Sequence, residues 1–237
     1  MLELIYFILF WLFSFLFIIL KSIKVNEFAI ENEIIKQIAN YSTLIKGIPL
    51  LIAMSFVFMI RPNESLFYIV LMSALLFCLA GDIGMEKGLL QGLPLFLVAQ
   101  ILFSITFIGQ SLTQGLADES LLVSLIAFVC VILYIVLFVK YLDSSEKGLG
   151  EFKIPVIIYC GAISLMFIST VLLWTTLGFL NQITIGLISL GGFLFVFSDS
   201  VIALREFRGI RFSKDVLLVM VTYYSAIFLL SLSSILV

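Results

Sequence analysis

Residues 66–85 read LFYIVLMSALLFCLAGDIGM, an apolar run of hydrocarbon length with one acidic side chain, Asp82. A helix of about 20 apolar residues crosses a bilayer because it satisfies its backbone polar groups internally. A carboxylate at that depth costs about 3 kcal/mol on insertion scales, so an intramembrane aspartate is interpreted first as a functional group. The stretch therefore predicts a membrane helix that carries a working acid.

A second acid occurs in the same setting. Residues 191–204 read GGFLFVFSDSVIAL, and Asp199 is their acidic residue. Both aspartates have small neighbours, which allow transmembrane helices to approach closely: Gly81, Gly84, Gly191, Gly192, Ser198 and Ser200. Two acids on closely packed helices predict a shared site.

The composition is typical of an integral membrane protein. Of the 237 residues 63% are hydrophobic and 12% charged, and the mean hydropathy is +1.28. We predict an all-α, multi-pass bundle that forms a single domain over residues 1–237. Its eight spans lie near residues 2–20, 44–60, 66–85, 89–109, 120–142, 154–177, 183–204 and 216–236. The first run has no basic leader and no small-residue cleavage site, so we expect it to remain as a span and not to be removed as a signal peptide.

The basic residues predict the orientation. Of the 13 lysines and arginines, all but Arg61 fall in the odd-numbered loops or at the helix ends beside them. Cytoplasmic loops accumulate positive charge, so we expect these loops in the cytoplasm and both termini on the other side. We expect the plasma membrane as the location if the host is prokaryotic. The first loop, residues 22–43, has apolar positions at helical spacing and predicts a cytoplasmic interfacial helix, with a plain linker as the alternative.

That orientation brings the two acids to one depth. Asp82 and Asp199 both lie roughly 6–9 Å from the cytoplasmic end of their spans, at 1.5 Å rise per residue. Other polar residues are predicted in the same layer: Lys46, Tyr159, Thr222, Tyr223 and Tyr224. Gln100 is predicted deeper, near the middle of the bilayer. The pattern predicts a polar site in the cytoplasmic half, although a structural hydrogen bond to a neighbouring helix is the alternative for either aspartate alone.

The residue types limit the chemistry. The chain has no histidine, and its three cysteines, Cys78, Cys130 and Cys160, fall on different predicted spans without paired spacing. A catalytic zinc is therefore poorly supplied with ligands, and we expect no metal and no other cofactor. We also expect no nucleic-acid partner. Proton transfer has to use Asp, Glu, Tyr, Lys or water.

At these residues the chain resembles the YhhN family of membrane proteins, whose characterised members include lysoplasmalogenase. The matching features run from the second span to the last: Lys46 with Pro49, ALLFCLAGDIGM at 74–85, GLPLFLVAQILFSITF at 92–107, YCGAISLM at 159–166, GGFLFVFSDSVIALREF at 191–207 and VTYY at 221–224. Three positions depart from the family pattern. Gln100 and Phe103 stand where a His and a Tyr are usual, and Ile227 stands where Gln is frequent.

The resemblance implies hydrolysis of the vinyl ether bond of a lysoplasmalogen, giving a fatty aldehyde and a glycerophospho-base. Asp82 and Asp199 would be the acid and the base or stabiliser, in an order that the sequence leaves open. The partners would be a lysophospholipid-type substrate and the bilayer. The implied substrate-binding residues are Lys46, which would face the phosphate, Tyr159 and Tyr223, which would orient the ether oxygen or water, and Gln100 and Tyr224.

Two other classes of function stay open. In a proton- or cation-coupled transporter the acids would relay protons or bind a cation, and polar residues would be expected through the full bilayer thickness. A non-catalytic lipid-binding protein is the third class. The concentration of polar residues in one half of the bilayer favours the hydrolase. The oligomeric state is open.

Overall fold

The computed structural model describes residues 1–25, 45–60, 65–144, 148–178, 183–211 and 214–236. Within these residues the chain is helical and contains no strand. The helices are α1 Leu2–Val25, α2 Ile48–Ile60, α3 Leu66–Lys87, α4 Leu89–Gln114, α5 Asp118–Asp143, α6 Lys153–Thr176, α7 Ile183–Arg208, α8 Asp215–Ser231 and α9 Ser233–Leu236, with a 3₁₀ turn at Gly150–Phe152 before α6. The predicted all-α fold is confirmed.

Seven helical segments in the described ranges are long and apolar enough to cross a membrane: α1, each of α3 to α7, and α8 together with α9. The remaining predicted span corresponds to α2, which has 13 residues. At 1.5 Å rise per residue α2 is only about 20 Å long, shorter than the hydrocarbon core of a bilayer. The eight predicted spans therefore correspond to seven full-length helices and one short helix.

Several helix ends differ from the predicted ones. α1 continues to Val25 and not to residue 20, and α4 continues to Gln114 and not to residue 109. The predicted ends follow the apolar run, but the backbone hydrogen bonds of the helices continue through the polar residues that come after it. The last predicted span is divided into α8 and α9. The interfacial helix predicted within residues 22–43 falls on residues 26–43, which lie outside the described ranges.

The helices form a closed ring with one helix outside it. In order around the ring, α1, α2, α3, α4, α6, α7 and α8 pack each against the next, and α8 returns to α1. α5 packs on the outside, against α6 and α7. Most large apolar side chains of α5 are exposed, as expected for a lipid-facing surface. The interior of the ring is filled by aromatic and aliphatic side chains, including the fully buried Phe10, Phe17, Phe103, Phe107 and Phe195.

Glycines bring the helices that carry the acids close to their neighbours. A Cβ atom on Gly84 of α3 would lie 2.7 Å from the backbone oxygen of Gln91 in α4. A Cβ atom on Gly192 of α7 would lie 2.8 Å from Oγ1 of Thr170 in α6. The turn between α3 and α4 is made by Gly88, whose φ of 143° is one that L side chains rarely adopt. The small residues beside Asp82 and Asp199 are thus positions of close helix contact.

Candidate active site

A cavity of about 260 Å³ lies where α3 and α7 end and where α6 and α8 begin. Most of its lining is apolar, including Leu93, Phe96, Phe138, Val156, Ile163 and Val196. Five of the seven residues predicted for the site also line it: Lys46, Asp82, Tyr159, Asp199 and Tyr223. An apolar cavity with a few convergent polar groups is the usual form of a small-molecule site.

Asp82 is buried beside a cation and a phenol. The Lys46 ammonium lies 3.5 Å from Oδ1 of Asp82 and donates a hydrogen bond of 2.9 Å to the backbone oxygen of the same residue. Tyr223 donates its hydroxyl to Oδ2 of Asp82 at 3.1 Å. Asp82 and Lys46 are 4% and 6% exposed, so their pairing takes place almost without water. Both charges are compensated within the protein.

Aromatic packing fixes the position of Tyr223. Its ring is perpendicular to that of Phe195, with centroids 5.4 Å apart, and nearly perpendicular to that of Phe96, with centroids 6.0 Å apart. Edge-to-face contacts of this kind favour one orientation of the ring. Phe96 in turn lies against Gly81, where a Cβ atom would come within 2.9 Å of its ring. The glycine before Asp82 therefore makes room for the ring that positions the partner of Asp82.

Glu86 connects the buried pair to the rim of the cavity. Its Oε1 lies 3.3 Å from Nζ of Lys46 and 3.4 Å from Nζ of Lys21. Glu86 follows Asp82 by four residues, so the two carboxylates lie on one face of α3. The sequence analysis did not assign Glu86 to the site, although this spacing was a signal for it. Lys21, Glu86, Lys46 and Asp82 form a row of alternating charges from the rim inward.

Asp199 has a different environment. Tyr159 donates its hydroxyl to Oδ2 of Asp199 in a short hydrogen bond. No lysine or arginine in the described ranges forms a salt bridge with Asp199. Both aspartates line the same cavity. The cavity thus holds two carboxyl groups, of which Asp82 has a neighbouring cation and Asp199 has a phenol.

A second tyrosine on the Asp199 side was missed by sequence reasoning. Tyr134 of α5 lines the cavity, and its hydroxyl lies 2.5 Å from Oγ of Ser200. Because Ser200 donates to the backbone oxygen of Val196 at 2.6 Å, Tyr134 is the donor in the shorter contact. Its position along the helix could have identified it. Tyr134 lies nine residues before the end of α5 at Asp143, and Asp199 lies nine residues before the end of α7 at Arg208.

The other two predicted site residues lie away from the cavity lining. Tyr224 is fully buried and donates its hydroxyl to the backbone oxygen of Lys46 at 3.0 Å. It therefore supports the chain that carries the ammonium. Gln100 is also fully buried, and neither its side-chain nitrogen nor its side-chain oxygen has a hydrogen-bond partner among the described residues. Substrate binding by these two residues, as by the other predicted site residues, stays a prediction.

Two carboxyl groups in one apolar cavity can divide acid and base roles. Burial and mutual repulsion favour a state in which one carboxyl keeps its proton and the other is ionised.

Comparison with known proteins gives one result at the family level: the model of the YhhN family matches residues 41–234, a range that includes both aspartates. No curated protein and no solved structure matches the chain.

Proposed function

Since the chain belongs to the YhhN family, we propose that it is a membrane-embedded hydrolase of the lysoplasmalogenase type. It cleaves the vinyl ether bond of a lysoplasmalogen and releases a fatty aldehyde and a glycerophospho-base. The observation that carries the proposal is the presence of Asp82 and Asp199 on the lining of one largely apolar cavity. The apolar lining suits a lipid chain, and the acids suit the chemistry of an enol ether.

The reaction needs an acid, a base and one water molecule. A carboxyl group protonates the vinyl carbon remote from the ether oxygen, which leaves an oxocarbenium ion. Water adds to the carbon beside the oxygen, and its proton goes to the second carboxylate. The resulting hemiacetal loses its hydroxyl proton, its bond to the glycerol oxygen breaks, and that oxygen gains a proton. The glycosidase carboxylate pair divides its roles in a comparable way.

The contacts of the two acids favour one order of roles. An adjacent cation favours the ionised form of a carboxyl group, and Lys46 lies 3.5 Å from Asp82. Asp82 is then the carboxylate that stabilises the oxocarbenium ion and accepts the proton of water. Asp199 has no salt bridge among the described residues, and it is the acid that protonates the vinyl carbon. Tyr159 and Tyr223, each bonded to one acid, orient the ether oxygen and the water.

The distribution of basic residues supports an orientation for the enzyme. With the odd-numbered loops in the cytoplasm and both termini on the other side, the ends of α3 and α7 face the cytoplasm. The cavity then opens inward, and substrate enters from the cytoplasmic leaflet. Cysteine labelling from each side of the membrane, at single cysteines introduced near Lys87 and near residue 115, tests this orientation. Labelling of the first position from outside would overturn it.

The decisive experiment separates the products. Purified protein is incubated with lysoplasmalogen and, separately, with the acyl lysophospholipid of the same headgroup, and aldehyde and fatty acid are measured. We expect aldehyde from the first substrate and no fatty acid from the second. Asp82→Asn and Asp199→Asn should each lower the turnover by about 10²–10⁴-fold, the range of general acid–base contributions.

Asp143→Asn is the matched control, because Asp143 pairs with Lys153 at 2.7 Å outside the cavity lining. It should keep full turnover. Equal thermal unfolding temperatures for wild type and the Asp82 and Asp199 variants would show that these variants remain folded. Full turnover in both would refute the assignment of the acids, and absence of aldehyde from the wild type would favour transport.

A further inference from the structure

Arg205 is a cation on the cavity lining whose one ion pair in the described ranges is with its sequence neighbour Glu206. In the described ranges Lys21, Lys46 and Arg205 are the lysines and arginines that line the cavity. The first two share Glu86, and Lys46 is also held by Asp82. Arg205 uses its Nε for Glu206 at 3.1 Å, whereas its two terminal nitrogens make no hydrogen bond to another described residue. Its side chain is 29% exposed, so it is accessible from the rim.

The position of Arg205 relative to Asp199 matches the dimensions of a lysophospholipid. Both residues lie on α7 and line the cavity, and their separation of six positions corresponds to a rise of roughly 9 Å. In a lysoplasmalogen the vinyl ether and the phosphate sit on the two ends of a three-carbon glycerol unit, a comparable separation. A substrate whose vinyl group meets Asp199 therefore has its phosphate near the rim at Arg205.

We propose that Arg205 binds the phosphate of the substrate and so sets how deeply the vinyl ether enters the cavity. This inference rests on the proposed function. Guanidinium offers two parallel N–H donors to phosphate oxygens, an arrangement that an ammonium lacks. Lys46, which the resemblance suggested for the phosphate, has its ammonium directed to Asp82 and Glu86 instead. Arg205 and Lys46 thus have different roles. Arg205 binds the phosphate, and Lys46 compensates the charge of Asp82.

A substitution of Glu206 should strengthen binding of the phosphate, whereas a substitution of Arg205 should weaken it. Glu206 holds Nε of Arg205 through its Oε1, its side chain is 41% exposed, and it also lines the cavity. A phosphate bound at the two terminal nitrogens of Arg205 lies close to the like charge of Glu206. Glu206→Gln removes this repulsion, so this variant should bind a phosphate-bearing ligand several-fold more tightly than wild type.

Binding is measured without turnover. The ligand is a saturated 1-O-alkyl lysophospholipid, which has no vinyl ether to hydrolyse, and the comparison ligand is the 1-O-alkylglycerol of the same chain length, which has no phosphate. The purified full chain is held in nanodiscs of zwitterionic lipid, where no net anionic headgroup competes. Arg205→Gln should weaken binding of the lysophospholipid by about tenfold or more, as for a lost charge-assisted hydrogen bond, and should not change binding of the alkylglycerol. Arg205→Lys should weaken it less.

Arg208→Gln is the matched control. Arg208 is on the same last turn of α7 but does not line the cavity; its guanidinium contacts Ser144 at 3.4 Å and lies over the ring of Tyr141. It should bind both ligands like wild type. The proposal is overturned if Arg205→Gln binds the lysophospholipid as wild type does, if it weakens both ligands equally, or if Arg208→Gln has the same effect.

Two further comparisons complete the test. Inorganic phosphate at the concentration of the lysophospholipid should not displace the bound lipid, because the apolar lining contributes to binding; displacement would indicate a simple anion site and overturn the assignment to a lipid. Failure of this inference and failure of the proposed function are distinguishable. Aldehyde release with an unchanged KM in Arg205→Gln would contradict the role of Arg205 alone, whereas selective phosphate-dependent binding without aldehyde release would contradict hydrolysis alone.

Discussion

The ammonium of Lys46 lies 3.5 Å from the carboxylate of Asp82, and the two side chains are 7% and 6% exposed. This pairing makes the two acids of the cavity unequal, because Asp199 meets the hydroxyl of Tyr159 and has no salt bridge in the described ranges. An ion pair this far from water depends on both partners, since removal of one leaves an uncompensated charge. Lys46 is therefore a direct test of how the site is organised.

Lys46→Met should lose both stability and activity. The buried Asp82 carboxylate would lose its cation, at a cost of about 3–5 kcal/mol in the free energy of unfolding unless it takes up a proton. If it takes up a proton, it can no longer accept the proton of water or stabilise the oxocarbenium ion, so we expect turnover to fall by roughly 10²-fold. Lys46→Arg, which keeps the charge, should retain part of both. Thermal unfolding and aldehyde release measure the two effects.

Lys21→Met is the control for this prediction. Lys21 pairs with Glu86 at 3.4 Å, but its side chain is 26% exposed and it does not pair with Asp82. An exposed pair contributes about 0–1 kcal/mol, so this variant should stay close to wild type in unfolding temperature and turnover. Equal losses in both lysine variants would contradict a special role for the buried pair.

Tyr159→Phe and Tyr223→Phe should lower turnover while leaving the fold intact. Each variant removes one hydroxyl donor from an acid and keeps the ring, and each should lower the turnover by about tenfold, the value of one hydrogen bond. Tyr68→Phe is the matched control, because its hydroxyl donates to the backbone oxygen of Ser234 and the residue does not line the cavity. A larger loss of activity in the control than in Tyr159→Phe or Tyr223→Phe would contradict their positioning role.

Close packing of α3 on α4 predicts a steep difference between two glycines. Gly84→Ala would bring a Cβ atom to 2.7 Å from a backbone oxygen of α4, which a side-chain rotation cannot relieve, so the helices must separate next to Asp82. We expect a loss of about 1–3 kcal/mol in the free energy of unfolding, together with reduced turnover. Gly161→Ala meets nothing within 4 Å and should be neutral or slightly stabilising. Similar thermal unfolding of the two variants would show that the contact is not tight.

Hydropathy predicted the helices, and counting along them predicted that both acids lie toward one end of the bundle, where they line one cavity. They succeed because the length of a membrane helix and the burial cost of an aspartate are set by the bilayer and not by neighbouring helices. The same reasoning found five of the residues that line the cavity. This reasoning assumed only that polar side chains at the same depth of the bilayer point into one shared site.

Lateral neighbours could not be predicted in this way. The contact of Tyr134 with Ser200 depends on how α5 is rotated and where it packs, and the sequence carries no periodic signal for either. Lys46 was predicted in the same layer as the acids, and the resemblance implies that it faces the phosphate. In the structure its ammonium lies 3.5 Å from Asp82 and 3.3 Å from Glu86, contacts that depend on how α2 packs against α3. The depth of a residue depends on its own helix, whereas a contact between two side chains also depends on how a second helix packs.

Gln100 differs from the other predicted site residues because its buried amide has no partner among the described residues. An unpaired buried polar group costs about 1–3 kcal/mol, so Gln100→Leu, of similar volume, should raise the unfolding temperature. Because Gln100 does not line the cavity, we expect an unchanged KM for lysoplasmalogen. Ser104→Ala is the control: it removes a hydroxyl that is satisfied by the Gln100 backbone oxygen at 2.8 Å, and it should not stabilise the protein. If Gln100→Leu instead raises KM or lowers the unfolding temperature, the amide has a polar ligand, and the predicted role of Gln100 in substrate binding gains support.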